Sequence, residues 1–403
     1  MVDSSRSKST RPVAIWVYAG VIMLLIQVVL GGITRLTGSG LSITEWNVVT
    51  GAVPPMGDAQ WNEEFAKYRA TPQYQLLNSG FTISDFKFIF FWEWFHRFWA
   101  RLVGVVFLVG FFWLLAKGAM KSWMVRPLII LFLLGALQGA IGWIMVASGL
   151  TGDAIYVKPT KLALHFVFAL GLIVYAFWFA LQLSVPKEVR LSGITGVRVF
   201  PSEAKGTTEV PEESKGTTKE RQGTPPRRRS QGTPPRRRSV SRLRRWTIII
   251  LAVLFFQLLY GALMAGHKAA TVAPTWPTIN GSWIPDSLFS RHPLLEDLAG
   301  NRITIHFIHR GLAYLLLTLV IIWSVQAGRV VSGGLRWLPL ALILVQVTLG
   351  ICSLLTSPGI IPQHWGLFDW LAQLHQIVGL LFLLTMVGML YLVVPVQQHP
   401  VTV

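Results

Sequence analysis

Eight stretches of this chain are long and apolar enough to cross a bilayer, and that leaves little freedom about its fold class. They run roughly over 13–33, 88–116, 127–148, 161–184, 246–265, 303–325, 337–356 and 369–394. Inside hydrocarbon every backbone N–H and C=O must be satisfied within the segment, so apolar runs of about 20 residues become helices. The expectation is an all-α polytopic membrane protein. Composition agrees, with 52% hydrophobic and 13% charged residues. A net charge of +18 on a soluble protein would suggest nucleic acid. Here it sits mainly in one internal loop and in short connections of one side, so the expected partner is the lipid bilayer and not nucleic acid. The single cysteine, Cys352, lies inside an apolar run, which excludes an internal disulfide and a thiolate metal cluster.

Arg6, Lys8 and Arg11, then Lys117, Lys121 and Arg126, then Arg329 and Arg336 fall on one side, together with the basic loop 185–245. The positive-inside rule puts that side, and both termini, in the cytoplasm. The N-terminal residues resemble neither a cleaved signal peptide nor an Arg-rich transit peptide. The loop holds KGTT twice (205–208 and 215–218) and a tandem QGTPPRRRS (222–230 and 231–239). Without apolar residues such a segment buries no core, so disorder is expected. The plain reading is a tolerated insertion that reinforces topology; the functional one is a site for anionic lipid or a partner.

The loop separates two halves that echo each other: 13–184, a first four-helix bundle, and 246–394, a second, with 185–245 between them. Gln27 and Gly31 match Gln257 and Gly261. Trp46, Gly51 and Pro54 match Trp276, Gly281 and Pro285. His96-Arg97 matches His309-Arg310, Gln138 and Gly142 match Gln346 and Gly350, and Leu164-His165 matches Leu374-His375. Four spans per half keep the same orientation, so the expected relation is a pseudo-two-fold axis along the membrane normal. The Gln-x-x-x-Gly pairs read most simply as sites of close helix packing.

Ionisable groups at membrane depth are costly unless paired or used. The segment FFWEWFHRFWARLVG (90–104) carries Glu93, His96, Arg97 and Arg101, and ITIHFIHRGLAYLL (303–316) carries His306, His309 and Arg310. Each half supplies one histidine on its second span and one on its fourth, all within about two turns of the outer ends. Facing imidazoles in a bundle core make an axial pair for a haem iron, so His96 with His165 and His309 with His375 are the candidate ligand pairs. Zinc would need further ligands, for which only His306 and Glu93 are at hand. Arg97, Arg101 and Arg310 could meet haem propionates or could snorkel. Glu93, whose counterpart is His306, could move protons or stabilise positive charge at a dry site, or could pair with Arg97 or Arg101. One carboxylate-bearing copy suggests divided labour: a reacting molecule in the first half and a permanent redox cofactor in the second.

TRLTGSGLSITEW (34–46), Pro54-Pro55, WNEEFAKYRATPQY (61–74), EWFHR (93–97) and His309-Arg310 resemble the haem A synthase family, in its mitochondrial and related bacterial form. The resemblance spans nearly the whole sequence apart from 205–239. It implies two pseudo-symmetric four-helix bundles and oxidation of the C8 methyl of haem O, through a hydroxylated stage, to the formyl of haem A for cytochrome c oxidase. It implies substrate haem O at His96 and His165, a haem b cofactor at His309 and His375, and a catalytic Glu93. Arg97, Arg310 and His306 remain candidates for cofactor contact. Implied partners are haem O and haem A, a haem O synthase and oxidase assembly factors, and self-association stays open. The implied location is the bacterial inner membrane. The outer-loop cysteine pair of another branch is absent here. The competing readings are a non-catalytic two-haem electron-transfer cytochrome and a repeat-built transporter.

Overall fold

The structure is a computed structural model and describes residues 10–46, 50–185, 235–328, 330–331, 333–361 and 364–393. Among these, eight helices are long and apolar enough to cross a membrane: α1 Arg11–Leu36, α2 Ile83–Ala116, α3 Ser122–Ala147, α4 Pro159–Ser184, α5 Pro235–Gly266, α6 Arg302–Ala327, α7 Leu338–Thr356 and α8 Leu367–Leu392. No strand occurs among the described residues. The long connections after α1 and after α5 lie on one side, called outer below.

Most boundaries fall within a few residues of expectation, and the exceptions have physical causes. Helix α2 starts at Ile83 because Thr82 and Asp85 form a reciprocal capping box, each side chain accepting the other residue's backbone N–H. His96 therefore stands more than three turns from the outer end of α2, not two. The helix α5 runs back to Pro235, so the end of the basic 185–245 loop is folded. There Val240 and Leu243 are buried, and Arg244 donates to the C=O groups of Leu390 and Val393 at 3.0 and 3.3 Å. Residues 186–234, with both KGTT copies, the first QGTPPRRRS and the start of the second, lie outside the described residues, as do Arg6, Lys8 and Arg329.

In the first half α1 packs on α2 and α4, and α3 on α4; in the second α5 packs on α6, and α7 on α8. The halves meet where α4 packs on α5 and α8, and α1 on α8. Along that seam Gln376 and Gln373 of α8 donate to the C=O groups of Val28 and Val29, at 2.9 and 3.4 Å. They fit because residue 32 is glycine: a Cβ there would stand 2.8 Å from Oε1 of Gln376 and nearer still to Gln373. One apolar core, from Val28 and Ile173 to Trp323 and Met386, runs across both halves.

The first outer connection carries helices Asp58–Arg69 and Pro72–Leu77. Tyr68 packs with Phe86, Ile89 and Phe90 of α2, so the outward extension of α2 is the stem on which this connection is built. Burial raises the Tyr68 phenol to about 12. Lys67 pairs with Glu45, Glu63 and Glu64 at 3.3, 3.1 and 2.9 Å, and the bond to Glu64 is the main reason its ammonium is held above the ordinary lysine value. In the second connection Asp297 is fully buried and accepts from Thr304, Asn301 and the Arg291 N–H at 2.6, 2.9 and 2.9 Å. Burial alone would push its carboxyl up; these donors and the Arg291 charge outweigh burial and hold it below the usual range.

Candidate functional site

Each of the four candidate histidines is seated in the same way. The ring lies against a glycine on the preceding helix: an added Cβ would stand 3.1 Å (Gly31 to His96), 2.8 Å (Gly142 to His165), 3.3 Å (Gly261 to His309) or 2.9 Å (Gly350 to His375) from Cε1 of the ring. A side chain in any of these places would meet the imidazole. Four residues earlier, one helical turn along the same face, a glutamine amide faces the ring. Nε2 of Gln27, Gln138, Gln257 and Gln346 lies 3.2, 3.4, 3.3 and 3.2 Å from the ring Nε2 of its histidine. Gln27 and Gln138 also donate to the backbone carbonyls of His96 and His165. His375 Nδ1–H donates to the C=O of Gln346 at 2.9 Å, which leaves its Nε2 as the lone-pair nitrogen, the tautomer a metal needs. The Gln-x-x-x-Gly pairs are thus histidine seats and not simply points of close packing. Gly31, Gly142 and Gly261 stand five residues before the outer ends of α1, α3 and α5, and Gly350 six before that of α7, so the four rings share one depth.

All four histidines line one cavity of about 1200 Å³ that runs across both halves. The His309 and His375 ring centroids are 6.5 Å apart. Two imidazole–metal bonds of roughly 2 Å each, plus half a ring at either end, fill that gap. Among the described residues no three His, Cys, Asp or Glu side chains cluster to hold a bare metal ion. Paired imidazoles in an apolar cavity of this size fit a haem rather than zinc.

Glu93 is buried and lines the cavity. Its Oε2 accepts from the Ser42 N–H and hydroxyl, both at 2.7 Å, and from the Ile43 N–H at 3.0 Å. Its Oε1 pairs with Arg97 at 2.6 Å. Arg97 also donates to the C=O groups of Ile43 and Glu45 at 3.3 Å and lies over the Trp46 ring at 5.2 Å. The pairing of Glu93 with Arg97 weighed from the sequence is therefore present. Arg310 anchors the second connection by the corresponding route, donating to the C=O groups of Ala273, Thr275, Pro277 and Thr278. Neither arginine snorkels to solvent; both tie an outer connection to a helix. Arg101 lines the cavity. His306 also lines it, is buried, and has no partner on either ring nitrogen.

The family model "COX15-CtaA: Cytochrome oxidase assembly protein" matches residues 14–204 and 221–387. The chain belongs to this family. Among its relatives it is 36% identical to a heme A synthase of Rhodopseudomonas palustris (strain BisB5) over 384 residues, 94% of this chain and 90% of that one. It is 36% identical to one of strain BisA53 over 398 residues, 97% of this chain and 93% of that one. A heme A synthase of Parvibaculum lavamentivorans is 37% identical over 345 residues, 85% of this chain and 86% of that one.

For this COX15-CtaA protein the sequence singled out the helix histidines, Glu93 and three arginines of the cavity, missed Arg35, Lys268, His364 and Asp369, which line it too, and misread the neighbours of those it found. Ser42 and Ile43, which hold Glu93, carry no signal that spacing reveals, because they reach it from a loop. The seat glutamines did carry one: four copies of Gln-x-x-x-Gly, each on the helix before a histidine helix.

Proposed function

We propose that this chain is a haem A synthase, an oxidoreductase that converts the C8 methyl of haem O to a formyl group through a hydroxylated stage, supplying haem A to cytochrome c oxidase. Family membership, with relatives of that name over nearly the full length, carries the reading. In it the two halves are pseudo-symmetric bundles, which the four matching seats and the matching arginine anchors support. His96 and His165 hold substrate haem O; His309 and His375 hold a resident haem b. The location is the bacterial inner membrane with both termini cytoplasmic, following the Lys and Arg bias. Haem O synthase and oxidase assembly factors are the protein partners in this reading.

Haem b supplies a one-electron redox centre when bound. The protein's own part is to orient, exclude water and place charge. The seats fix each imidazole before any ligand arrives. Glu93 is held as an acceptor: three donors saturate Oε2, and Arg97 takes one position on Oε1, leaving that oxygen one lone pair. A fixed anion with one free acceptor position can take a hydrogen bond from the attacking water and stabilise positive charge at the ring edge. His306, unpartnered on the cavity wall of the second half, would offer a donor to a haem held by His309 and His375, with Arg310 one turn along the same helix. A transmembrane electron carrier would need haems near both surfaces, whereas these four histidines share one depth.

The test is pigment analysis of protein purified from cells that make haem O. The expected extract is haem b with haem O or haem A. His309→Ala and His375→Ala should each lose haem b and its low-spin spectrum, and His96→Ala and His165→Ala should lose the other haem. Haem b alone in the wild type, with no haem A formed in a deficient strain, would refute the synthase reading.

A further inference from the structure

The cavity is not equally deep in the two halves. On α2 its lining reaches Phe107, about 16 Å below His96 at a rise of 1.5 Å per residue. On α6 it stops at Leu316, about 10 Å below His309. The same holds on the other helices: the lining reaches Trp16 on α1, Leu131 on α3 and Ala176 on α4, against Leu254 on α5, Ile343 on α7 and Phe382 on α8. Measured from the seat glutamine or the histidine, each helix of the first half is lined four to eight residues deeper.

The cause is legible residue by residue once the halves are aligned on their seats. Gly20, Gly104 and Gly135 all line the part below the seats, and a Cβ on any of them would meet nothing within 4 Å. Their register equivalents are Ile250, Leu317 and Ile343, and the equivalent of Ala176 is Met386. Ile250, Ile343 and Met386 are buried in the shared core, with Leu317 packed against it. The second half therefore fills with side chains the volume that the first leaves open. The shaft has an aromatic floor, where the Phe107 ring meets Trp16 at 5.1 Å and Phe132 at 5.9 Å. It also has a side opening, because α2 and α3 touch at few points while α6 and α7 meet along more of their length.

We propose that this shaft is the binding subsite for a long isoprenoid tail on the substrate haem, and that its absence from the second half reserves that half for a haem without one. The proposal rests on the reading of the first half as the haem O site. Haem O differs from haem b by a hydroxyalkyl isoprenoid substituent on one ring edge, opposite in polarity to the propionates. An apolar shaft below the four histidines, entered from the bilayer side between α2 and α3, suits such a tail. Its burial adds affinity in proportion to apolar area removed from water. It also fixes the rotation of the ring about the iron axis, and so which methyl stands near Glu93.

The experiment is a spectral titration of purified protein carrying haem b in its second half, with haem O and with protohaem, which lacks the tail. The variants are Gly104→Leu and Gly135→Ile, which copy the second half into the first. Retained haem b at His309 and His375 reports that each variant is folded. Wild type should bind haem O about tenfold or more tighter than protohaem. In each variant the preference should collapse to about equal affinity, protohaem binding staying as in wild type. Equal binding of both haems by wild type would overturn the proposal, and so would variants that lose both haems alike; a shaft occupied by lipid acyl groups would give the former. If neither haem binds wild type at His96 and His165, the assignment of the substrate half itself fails, which is a different result.

Discussion

The seats permit a graded prediction. Gly350 and Gly261 hold His375 and His309, the two candidate ligands of one haem. A Cβ at Gly350 would lie 2.9 Å from His375 Cε1, and one at Gly261 3.3 Å from His309 Cε1. Ordinary contact begins near 3.4 Å, so Gly350→Ala must move its imidazole by about 0.5 Å and Gly261→Ala by about 0.1 Å. A ligand set tolerates displacement up to roughly 0.5 Å, which puts the first variant at the limit and the second well inside it. Overpacking at a site of the first kind costs about 1–3 kcal/mol, a loss of roughly 5- to 150-fold in haem affinity. Both substitutions place alanine in a helix interior and gain about the same propensity, so that contribution cancels in the comparison. Haem b per protein is read from the pyridine haemochrome after extended washing, and affinity from refilling the stripped protein. Gly350→Ala should be haem-poor and Gly261→Ala close to wild type. The reverse order, or equal loss in both, would show that the glycines do not act by seating the rings. In the first half the same reasoning ranks Gly142→Ala (2.8 Å) above Gly31→Ala (3.1 Å).

Glu93→Gln should insert, keep haem b and fail to complete the formyl, but the structure adds a cost. The new amide NH₂ must face Arg97 or the Ser42 and Ile43 donors, losing charge-assisted bonds worth about 1.5–3 kcal/mol. Ser42→Ala separates anchoring from chemistry, since it removes one donor and leaves the charge. Chromatography of extracted haems should show haem A reduced by less than about tenfold in Ser42→Ala and absent in Glu93→Gln; equal loss would make Glu93 an anchor only. Because the Asp297 carboxyl is held below its ordinary range, its stabilisation of the second outer connection is complete above that range and lost as the pH falls through its lowered value. Limited proteolysis at 286–300 should accelerate only in acid for wild type, and at every pH for Asp297→Asn. Deleting 205–234, the part of the 205–239 segment that precedes α5, should leave haem A synthesis intact; its loss from a correctly inserted protein would assign that segment a role.

The eight helices and the four histidines were legible because hydrocarbon imposes its requirements one segment at a time: length, apolarity, and a reason for each ionisable group. What escaped was set by distant parts of the sequence. Nothing in the run 83–87 marks it as a continuation of α2 until Tyr68 and its neighbours are packed against Phe86. The basic residues of 235–245 looked like loop until Val240 and Leu243 found the core. Arg97 and Arg310 were offered to propionates, but the connections they tie were invisible as partners, since a backbone carbonyl has no identity in a sequence. The three glycines of the shaft were individually ordinary. They gained meaning only beside their bulky equivalents, once the seats supplied the alignment.

The seam between the halves has a thermodynamic consequence. The helix α4, which carries His165, packs on α5 and α8, and these carry the Gln257–Gly261 seat and His375. The helix α1, which carries the Gln27–Gly31 seat, receives Gln373 and Gln376 from either side of His375. A ligand that shifts either pair of rings therefore strains helices belonging to the other pair. Coupling of this kind is reciprocal: if a filled second half tightens the first half's grip on its ligand, a filled first half tightens the second by the same factor. In the proposed reading a ligand that leaves after each turnover and one that stays would be held by a shared set of walls, and release of the first would be accompanied by a transient loosening of the second.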